Sequence, residues 1–356
     1  MMSYQDFKKR AWQNNSKEVY DNITLAGVSV RGHKREETAM NIYRKKTGRI
    51  LALLMAFLMA VTTALALDMS NVYAEDNTAA PSAAAATDEE VPEALQITVE
   101  TNGPGLLVKW TAQRGAASYE IYRSYKQSSG WSLLKKGVTD CSYQDNAVAS
   151  GKKAYYKVRA RREDGSYSDY SDTASGIVYR VYIETGHGTG DNGKWDPGCT
   201  WSKYQEAKLM IPICMSMAKY LTDKGVYVYT DAFTGNNINL NVTLKRIKTY
   251  NVSVLVNVHC DYKKAPMGTM PLYRYSDQKK LAKCLNNGVH KYVKIKNRGL
   301  KKRTNLKTLN KTRGVCAACL FETGNIKKDN AILRTKYDDY GKGLAKGVCD
   351  YLGIKW

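Results

Sequence analysis

The sequence predicts two folded domains in one chain: an antiparallel β-sandwich, followed by an α/β domain with a mainly parallel sheet flanked by helices. Three observations carry this. The 356 residues suffice for two domains, since single domains commonly occupy ~100–200 residues. Residues 95–179 show short stretches of alternating apolar and polar character separated by turns, the pattern of a sandwich. Beyond Tyr179, short apolar strands alternate with segments of helical spacing, which implies parallel strands joined by crossover helices.

Within the first region, Leu106 to Trp110, Tyr119 to Arg123 and Tyr155 to Ala160 read as strands, with turns near 102–105, 126–130, 149–152 and 163–166. In the second, strands are predicted at Val181–Ile183, Val226–Tyr229, Val252–Val258 and Val315–Phe321. Helices are predicted at Tyr204–Leu221, Leu240–Tyr250, Asp277–Val293 and Tyr337–Leu352. Ligands of such sheets sit at the carboxyl ends of the strands.

Ahead of both domains, Ile50 to Leu67 runs without a charge or a proline, preceded by Arg44, Lys45, Lys46 and Arg49. This reads as an export signal or a membrane span. Val72-Tyr73-Ala74 before Glu75 fits signal-peptidase cleavage after Ala74, with a retained anchor as the alternative. Met40 begins a conventional positive leader, residues 1–39 are an extension without an assigned role, and residues 75–94, rich in Ala, Asp, Glu, Thr and Pro, form a linker too poor in large apolar residues for a core.

The formal charge is +22, so a polyanion is an expected partner. Most of the excess lies in residues 180–356, with 32 Lys and Arg against 13 Asp and Glu. Lys291 to Arg313 holds ten Lys and Arg and no acid, either a solvated basic loop or a docking face for anions. Export turns the expectation from nucleic acid toward cell-wall polymers; a membrane contact is expected only through residues 50–67, if uncleaved. The eight cysteines give no disulfide framework. Cys316 and Cys319 form a CxxC inside an apolar stretch, read as small buried residues, with a disulfide or redox pair left open.

Two of the four histidines follow predicted strands, His187 in Gly186-His187-Gly188 and His259 in Val256-Asn257-Val258-His259. One such histidine is more often a satisfied polar residue than a ligand; two at equivalent strand ends favour a metal. Two imidazoles and a carboxylate are a common zinc set that leaves one position open. Glu206, opening a predicted helix, is the candidate carboxylate, its competing role being a charge favoured by the helix dipole. Glu322, straight after an apolar strand, suits a general base whose burial raises its pKa. Gly186 to Gly190 lacks the Lys-Ser/Thr of a phosphate loop.

The order Gly-His-Gly, helix-opening Glu206, Val-x-Val-His259 and Phe321-Glu322-x-Gly324-Asn325 resembles the zinc-dependent N-acetylmuramoyl-L-alanine amidases of the Amidase_3 family across residues 180–356. The resemblance implies Zn2+ held by His187, Glu206 and His259, Glu322 as catalytic glutamate, and peptidoglycan as substrate. Arg298 and Asp261 are candidate substrate-binding residues, and Asp196-Pro197-Gly198 also matches family positions. The chain departs from the family pattern at Glu184-Thr185, where aspartate-proline is usual, and at Cys260, where serine or alanine is. Trp110, Tyr119-x-Ile121-Tyr122-Arg123, Tyr155-x-Lys157-Val158-Arg159-Ala160 and Tyr170-Ser171 resemble a fibronectin type III domain. The function these resemblances imply is a secreted or wall-associated amidase acting between glycan and stem peptide. The alternatives are a zinc peptidase within the stem peptide and a non-catalytic wall-binding protein.

Overall fold

The computed structural model describes residues 94–190, 193–232 and 240–356. The extension, the signal or anchor segment and nearly all of the linker lie outside these. Among the described residues no helix is long and apolar enough to cross a membrane.

The first part is a sandwich of two antiparallel sheets. Its strands are β1 (Ile97–Asn102), β2 (Gly105–Trp110), β3 (Ala116–Ser124), β4 (Ser132–Val138), β5 (Ser142–Asp145), β6 (Ala154–Arg162) and β7 (Ala174–Gly176). One sheet is ordered β1-β2-β5, the other β4-β3-β6-β7. Alternation places Leu106, Val108 and Trp110 of β2 opposite Tyr119, Ile121, Tyr156 and Val158 in a common core, as period-two strands require. The buried Tyr156 hydroxyl donates to Asp145 at 2.7 Å, and Arg123 pairs with the same carboxylate, so the polar groups at this end are satisfied.

The second part opens with β8 (Arg180–Thr185), followed by the short ribbons β9 (Gly188–Thr189), β10 (Trp195–Asp196), β11 (Thr200–Trp201) and β12 (Tyr204–Gln205). Then come α1 (Glu206–Asp223), β13 (Tyr227–Thr230), α2 (Leu240–Thr249), β14 (Val254–Asp261), β15 (Met270–Tyr273), α3 (Ser276–Tyr292), β16 (Lys301–Lys302), α4 (Lys307–Lys311), β17 (Ala317–Asn325), α5 (Asn330–Thr335) and α6 (Tyr337–Leu352). The six-stranded sheet is ordered β13-β8-β14-β17-β15-β16. Only the β15–β17 pair is antiparallel. A proline in the four-residue β15 argues against a strand on sequence grounds; it is tolerated because β16 pairs only with Leu272 and Tyr273.

The two faces are covered unequally. Val181, Val256, Val258, Cys319 and Phe321 pack under the long helices α1, α3 and α6. Tyr182, Leu255, Leu272 and Ala318 pack with Ile247 of α2 and Leu309 of α4, both from shorter helices. Cys316 belongs to the second cluster and Cys319 to the first, so the CxxC straddles the sheet and both thiols are free.

Two observations join the sandwich to the sheet. Arg180, 2% exposed, donates its guanidinium to the carbonyls of Pro104, Val148 and Asn146 at 2.6, 3.0 and 3.3 Å. Its backbone N–H donates to Ser150 Oγ at 2.8 Å. Burial lowers the pKa of this guanidinium, and three carbonyl dipoles replace the water it has lost.

Helices α3 and α6 approach closely through glycines: a Cβ on Gly347 would lie 2.5 Å from Leu285 Cα, and one on Gly288 would meet the Gly343 carbonyl. Gly347→Ala is expected to lower stability by about 1–3 kcal/mol through overpacking, read by denaturant unfolding; an unchanged midpoint would refute the close approach.

Candidate metal centre

The centre is built where β8 and β14 end. After Thr185 the chain turns through Gly186, whose N–H donates to Val258 O at 2.9 Å, binding the two strand ends together. A Cβ on Gly186 would lie 2.5 Å from His259 Nδ1, so only glycine lets the turn pass beside that ring. His187 then adopts φ 64°, a left-handed conformation that costs a non-glycine residue ~1–3 kcal/mol and clusters at functional sites. Asp196 Oδ2 holds it there, 2.8 Å from His187 Nδ1. Because a carboxylate only accepts, Nδ1 carries the proton and Nε2 keeps its lone pair. That Nε2 lies 3.4 Å from Glu206 Oε2.

Glu206 is the first residue of α1 and is 3% exposed. Its Oε2 accepts from the Cys199 N–H and its Oε1 from the Cys260 N–H, both at 3.0 Å. His259 Nδ1 is 2.9 Å from Oε1. Burial alone raises the pKa of this carboxyl; the His259 hydrogen bond, the charges of both imidazoles and the Cys199 N–H outweigh it and hold the group down to about 2. Gly198, at φ 66°, lies so close that a Cβ would come 2.5 Å from the His187 ring and 2.7 Å from Glu206 Oε2.

One ligand atom from each of His187, Glu206 and His259 lies within 4.8 Å of the other two. One ring nitrogen from each histidine and an ionised carboxylate oxygen, converging on one point, are a donor set that would fit a divalent cation such as Zn2+, which binds each ring in its neutral form. The helix-dipole reading of Glu206 accounts for its position but not for the two imidazoles directed at its two oxygens.

Glu322 stands directly beside His259, because β14 and β17 pair in parallel register with His259 opposite Glu322. The sequence placed it after the strand; β17 in fact continues to Asn325, its end held by the Asn325 N–H donating to Asp329 at 2.8 Å. The Oε2 of Glu322 is buried without a hydrogen-bond partner. Burial first, then the charges of Asp261 and Glu206, push its pKa well above the ordinary carboxylate range, against the opposing influence of Arg298 and Arg303. Asp261 and Arg298 are themselves an ion pair at 2.5 Å. Sequence-selected His187, Glu206, His259, Glu322, Asp261 and Arg298 therefore gather at one end of the sheet.

A cavity of about 700 Å³ opens beside the two histidines, on the face that α2 and α4 cover. Lys194, Trp195, Lys307 and Thr308 line it above Glu184 and Asn257. Glu184 is buried and accepts from the Thr243 hydroxyl at 3.2 Å. Desolvation and the nearby Asp231 push its carboxyl up to about 8. The stretch Lys291–Arg313 is not a plain loop: it carries β16 and α4, and Arg298 within it is paired with Asp261.

The Asp196-Pro197-Gly198 match carried no assigned role in the sequence; in the structure Asp196 orients His187. Sequence reasoning missed other contributors. Thr323 Oγ1 donates to the His259 carbonyl at 2.8 Å, and the Tyr340 hydroxyl to the Thr323 carbonyl at 2.8 Å, so the ligand strand is braced from α6. The two backbone N–H donors to Glu206, from the Cys199 loop and the end of β14, depend on backbone geometry and leave no mark in side-chain pattern.

The α/β part thus brings a His-Glu-His cluster that could hold a metal ion, and an adjacent buried carboxyl, to the carboxyl ends of parallel strands. Residues 181–353 match the family model described as N-acetylmuramoyl-L-alanine amidase, Amidase_3. This part of the chain is similar to that family over nearly its whole length. Among solved structures, the chain is similar to an N-acetylmuramoyl-L-alanine amidase from Clostridium difficile 630, at 27% identity over 50% of this chain and 99% of that one, TM-score 0.44. It is also similar to AmiC2 of Nostoc punctiforme, at 24% identity over 49% and 97%, TM-score 0.44. A Fn3-like protein from Clostridium thermocellum matches at 31% identity over 23% and 83%, TM-score 0.21. Among curated proteins, amylopullulanases of Thermoanaerobacterium thermosulfurigenes and Thermoanaerobacterium saccharolyticum match at 31% and 30% identity over 27% and 26% of the chain. The chain spans only 5% and 8% of those relatives' lengths.

Replacing His187 or His259 by Ala is expected to abolish tight Zn2+ binding by the full chain, since one ligand of three is lost; calorimetric titration at full stoichiometry in either variant would refute the ligand set. A second expectation concerns Glu184. A carboxyl whose folded pKa is about 8 against an ordinary value near 4.5 retains its proton where the unfolded chain has lost it. Stability therefore declines as pH rises from the lower value to the higher. Glu184→Gln should flatten part of that decline, melting close to the parent at about pH 5 and above it at about pH 8; parallel curves would show that the group titrates normally.

Proposed function

We propose that the chain is an exported, Zn2+-dependent hydrolase that cleaves the amide bond between N-acetylmuramic acid and L-alanine in bacterial peptidoglycan. The observation that carries this is the pairing of two kinds of group at one strand end: three converging ligand atoms from His187, Glu206 and His259, and Glu322 in register beside His259. A non-catalytic wall-binding module has no need of that buried carboxyl.

Zn2+ held by the three residues would supply Lewis acidity to the scissile carbonyl, acidify water and offset the negative charge around Glu322. Glu322 takes the proton of the attacking water and returns it to the L-alanine nitrogen as the bond breaks, a role that asks for a carboxyl poised between its two protonation states. Its site, shared with Asp261 and Arg298, supplies opposing charges that set that balance. Arg298, drawn inward by Asp261, positions the substrate next to Glu322. Asp196 keeps the His187 lone pair turned inward.

The exposed Lys301, Lys302, Lys307 and Lys311 provide a cationic approach for anionic wall polymers. The sandwich is read as a fibronectin type III-like spacer, and the leader at residues 50–67 as the export signal that takes the enzyme to the wall.

Digestion of purified sacculi with the full chain should free the amino group of L-alanine; release of any other amino terminus would indicate a peptidase instead. Glu322→Gln keeps shape and removes basicity, so zinc content should stay near one per chain while turnover drops by ~100-fold or more. Loss of zinc would make Glu322 a ligand, and near-normal turnover would assign proton transfer elsewhere.

A further inference from the structure

We propose that Cys199 and Cys260 form a dithiol–disulfide pair built into the wall of the metal centre, a modification site that couples thiol redox state to the rigidity of the ligand cradle. The two sulfurs lie 3.8 Å apart, and Cys199 Sγ also reaches the Cys260 carbonyl at 3.4 Å. Closing to a bond of ~2.05 Å asks for side-chain rotation and a small loop adjustment. The partners come from different elements, Cys199 from the loop between β10 and β11 and Cys260 from β14, 61 residues apart in sequence. The other cysteines do not share this arrangement: Cys316 and Cys319 lie on opposite faces of the sheet.

The position gives the bond a consequence. Backbone N–H groups of these same two residues donate to the two oxygens of Glu206. The loop before Cys199 carries Asp196, which orients His187, and Gly198, which lies against both His187 and Glu206. Cys260 directly follows His259. A covalent tie between the cysteines therefore fixes both halves of the cradle to each other.

Cys199 is half-buried and Cys260 buried, so Cys199 meets an external oxidant first. The oxidant is a disulfide, either a small molecule or a thiol–disulfide oxidoreductase. The Cys199 thiolate attacks one of its sulfurs, forming a mixed disulfide and expelling one thiolate. Cys260 Sγ then attacks Cys199 Sγ and expels the second thiolate, which takes up the Cys260 proton as it leaves. Two protein thiols lose two electrons, one external disulfide gains them, and two external thiols leave.

The full chain, treated with oxidised dithiothreitol, then unfolded, alkylated and digested, should yield a Cys199–Cys260 linked peptide by mass spectrometry, with the other six cysteines recovered as alkylated thiols. Cys260→Ser should leave Cys199 alkylatable or singly capped. Recovery of both cysteines as free thiols from the oxidised parent would overturn the proposal, as would linkage of either to a third cysteine. Protection of both from alkylation by added Zn2+ without any linked peptide would make them soft metal ligands with Glu206, and would overturn it equally. Transfer of bound Zn2+ to a chelator should be several-fold slower from the oxidised form; equal rates would refute the stiffening. That last readout rests on the metal assignment, whereas the peptide map does not, so the two failures are distinguishable.

Discussion

The centre depends on how one buried carboxylate, Glu206, is compensated. A charge at 3% exposure persists only if hydrogen bonds and countercharge replace its lost hydration. Here the helix start, two backbone N–H groups, one from the loop at Cys199 and one from the end of β14, and two imidazoles all converge on it. Each demand propagates outward. The Cys199 N–H requires the tight Asp196 to Cys199 turn, the Cys260 N–H requires the irregular end of β14, and His187 requires an unusual backbone conformation. A divalent cation at this point would supply the countercharge directly.

The unequal covering of the sheet sets where chemistry can occur. The face under α1, α3 and α6 is closed by apolar packing. The opposite face, under α2 and α4, keeps the cavity open beside His187 and His259. Strand alternation assigns His259 and Glu322 to this thinner side, in step with Leu255 and Ala318, while Cys260 turns toward the closed side. The cavity lining mixes Lys194, Lys307 and Trp195 with buried Glu184, so it offers cationic walls over a floor that retains a proton at neutral pH.

The gathering of the candidate residues was legible in the sequence where strand ends coincide with unusual side chains. His187 and His259 follow apolar runs, Glu206 starts a helix, and Glu322 interrupts apolar character, so parity and position alone bring them together. The helix Tyr337–Leu352 and the burial of Trp110 and Tyr156 were legible for the same reason: periodicity there is strong. What escaped has a different origin. β15 is four residues with a proline, and it exists because β17 offers it a hydrogen-bonding edge, a tertiary cause. The end of β17 was misplaced because Glu322, Thr323 and Asn325 are polar, whereas the strand continues through contacts to Asp329, Tyr340 and His259. The proximity of Cys199 to Cys260 arises from loop folding across 61 positions and leaves no spacing pattern.

The buried Arg180 also has a mechanical consequence. The first residue of the catalytic sheet is held by carbonyls of two sandwich loops, and its neighbours Ser150 and Ser253 are in hydroxyl contact across the same seam. Tension arriving through the sandwich is therefore shared sideways among several hydrogen bonds at the amino ends of the strands, and is not concentrated on the peptide link at Tyr179. The histidines and Glu322 lie at the other end of those strands, so a load carried through the sandwich would meet the amino ends of the sheet first and leave the converging side chains at the other end undisturbed.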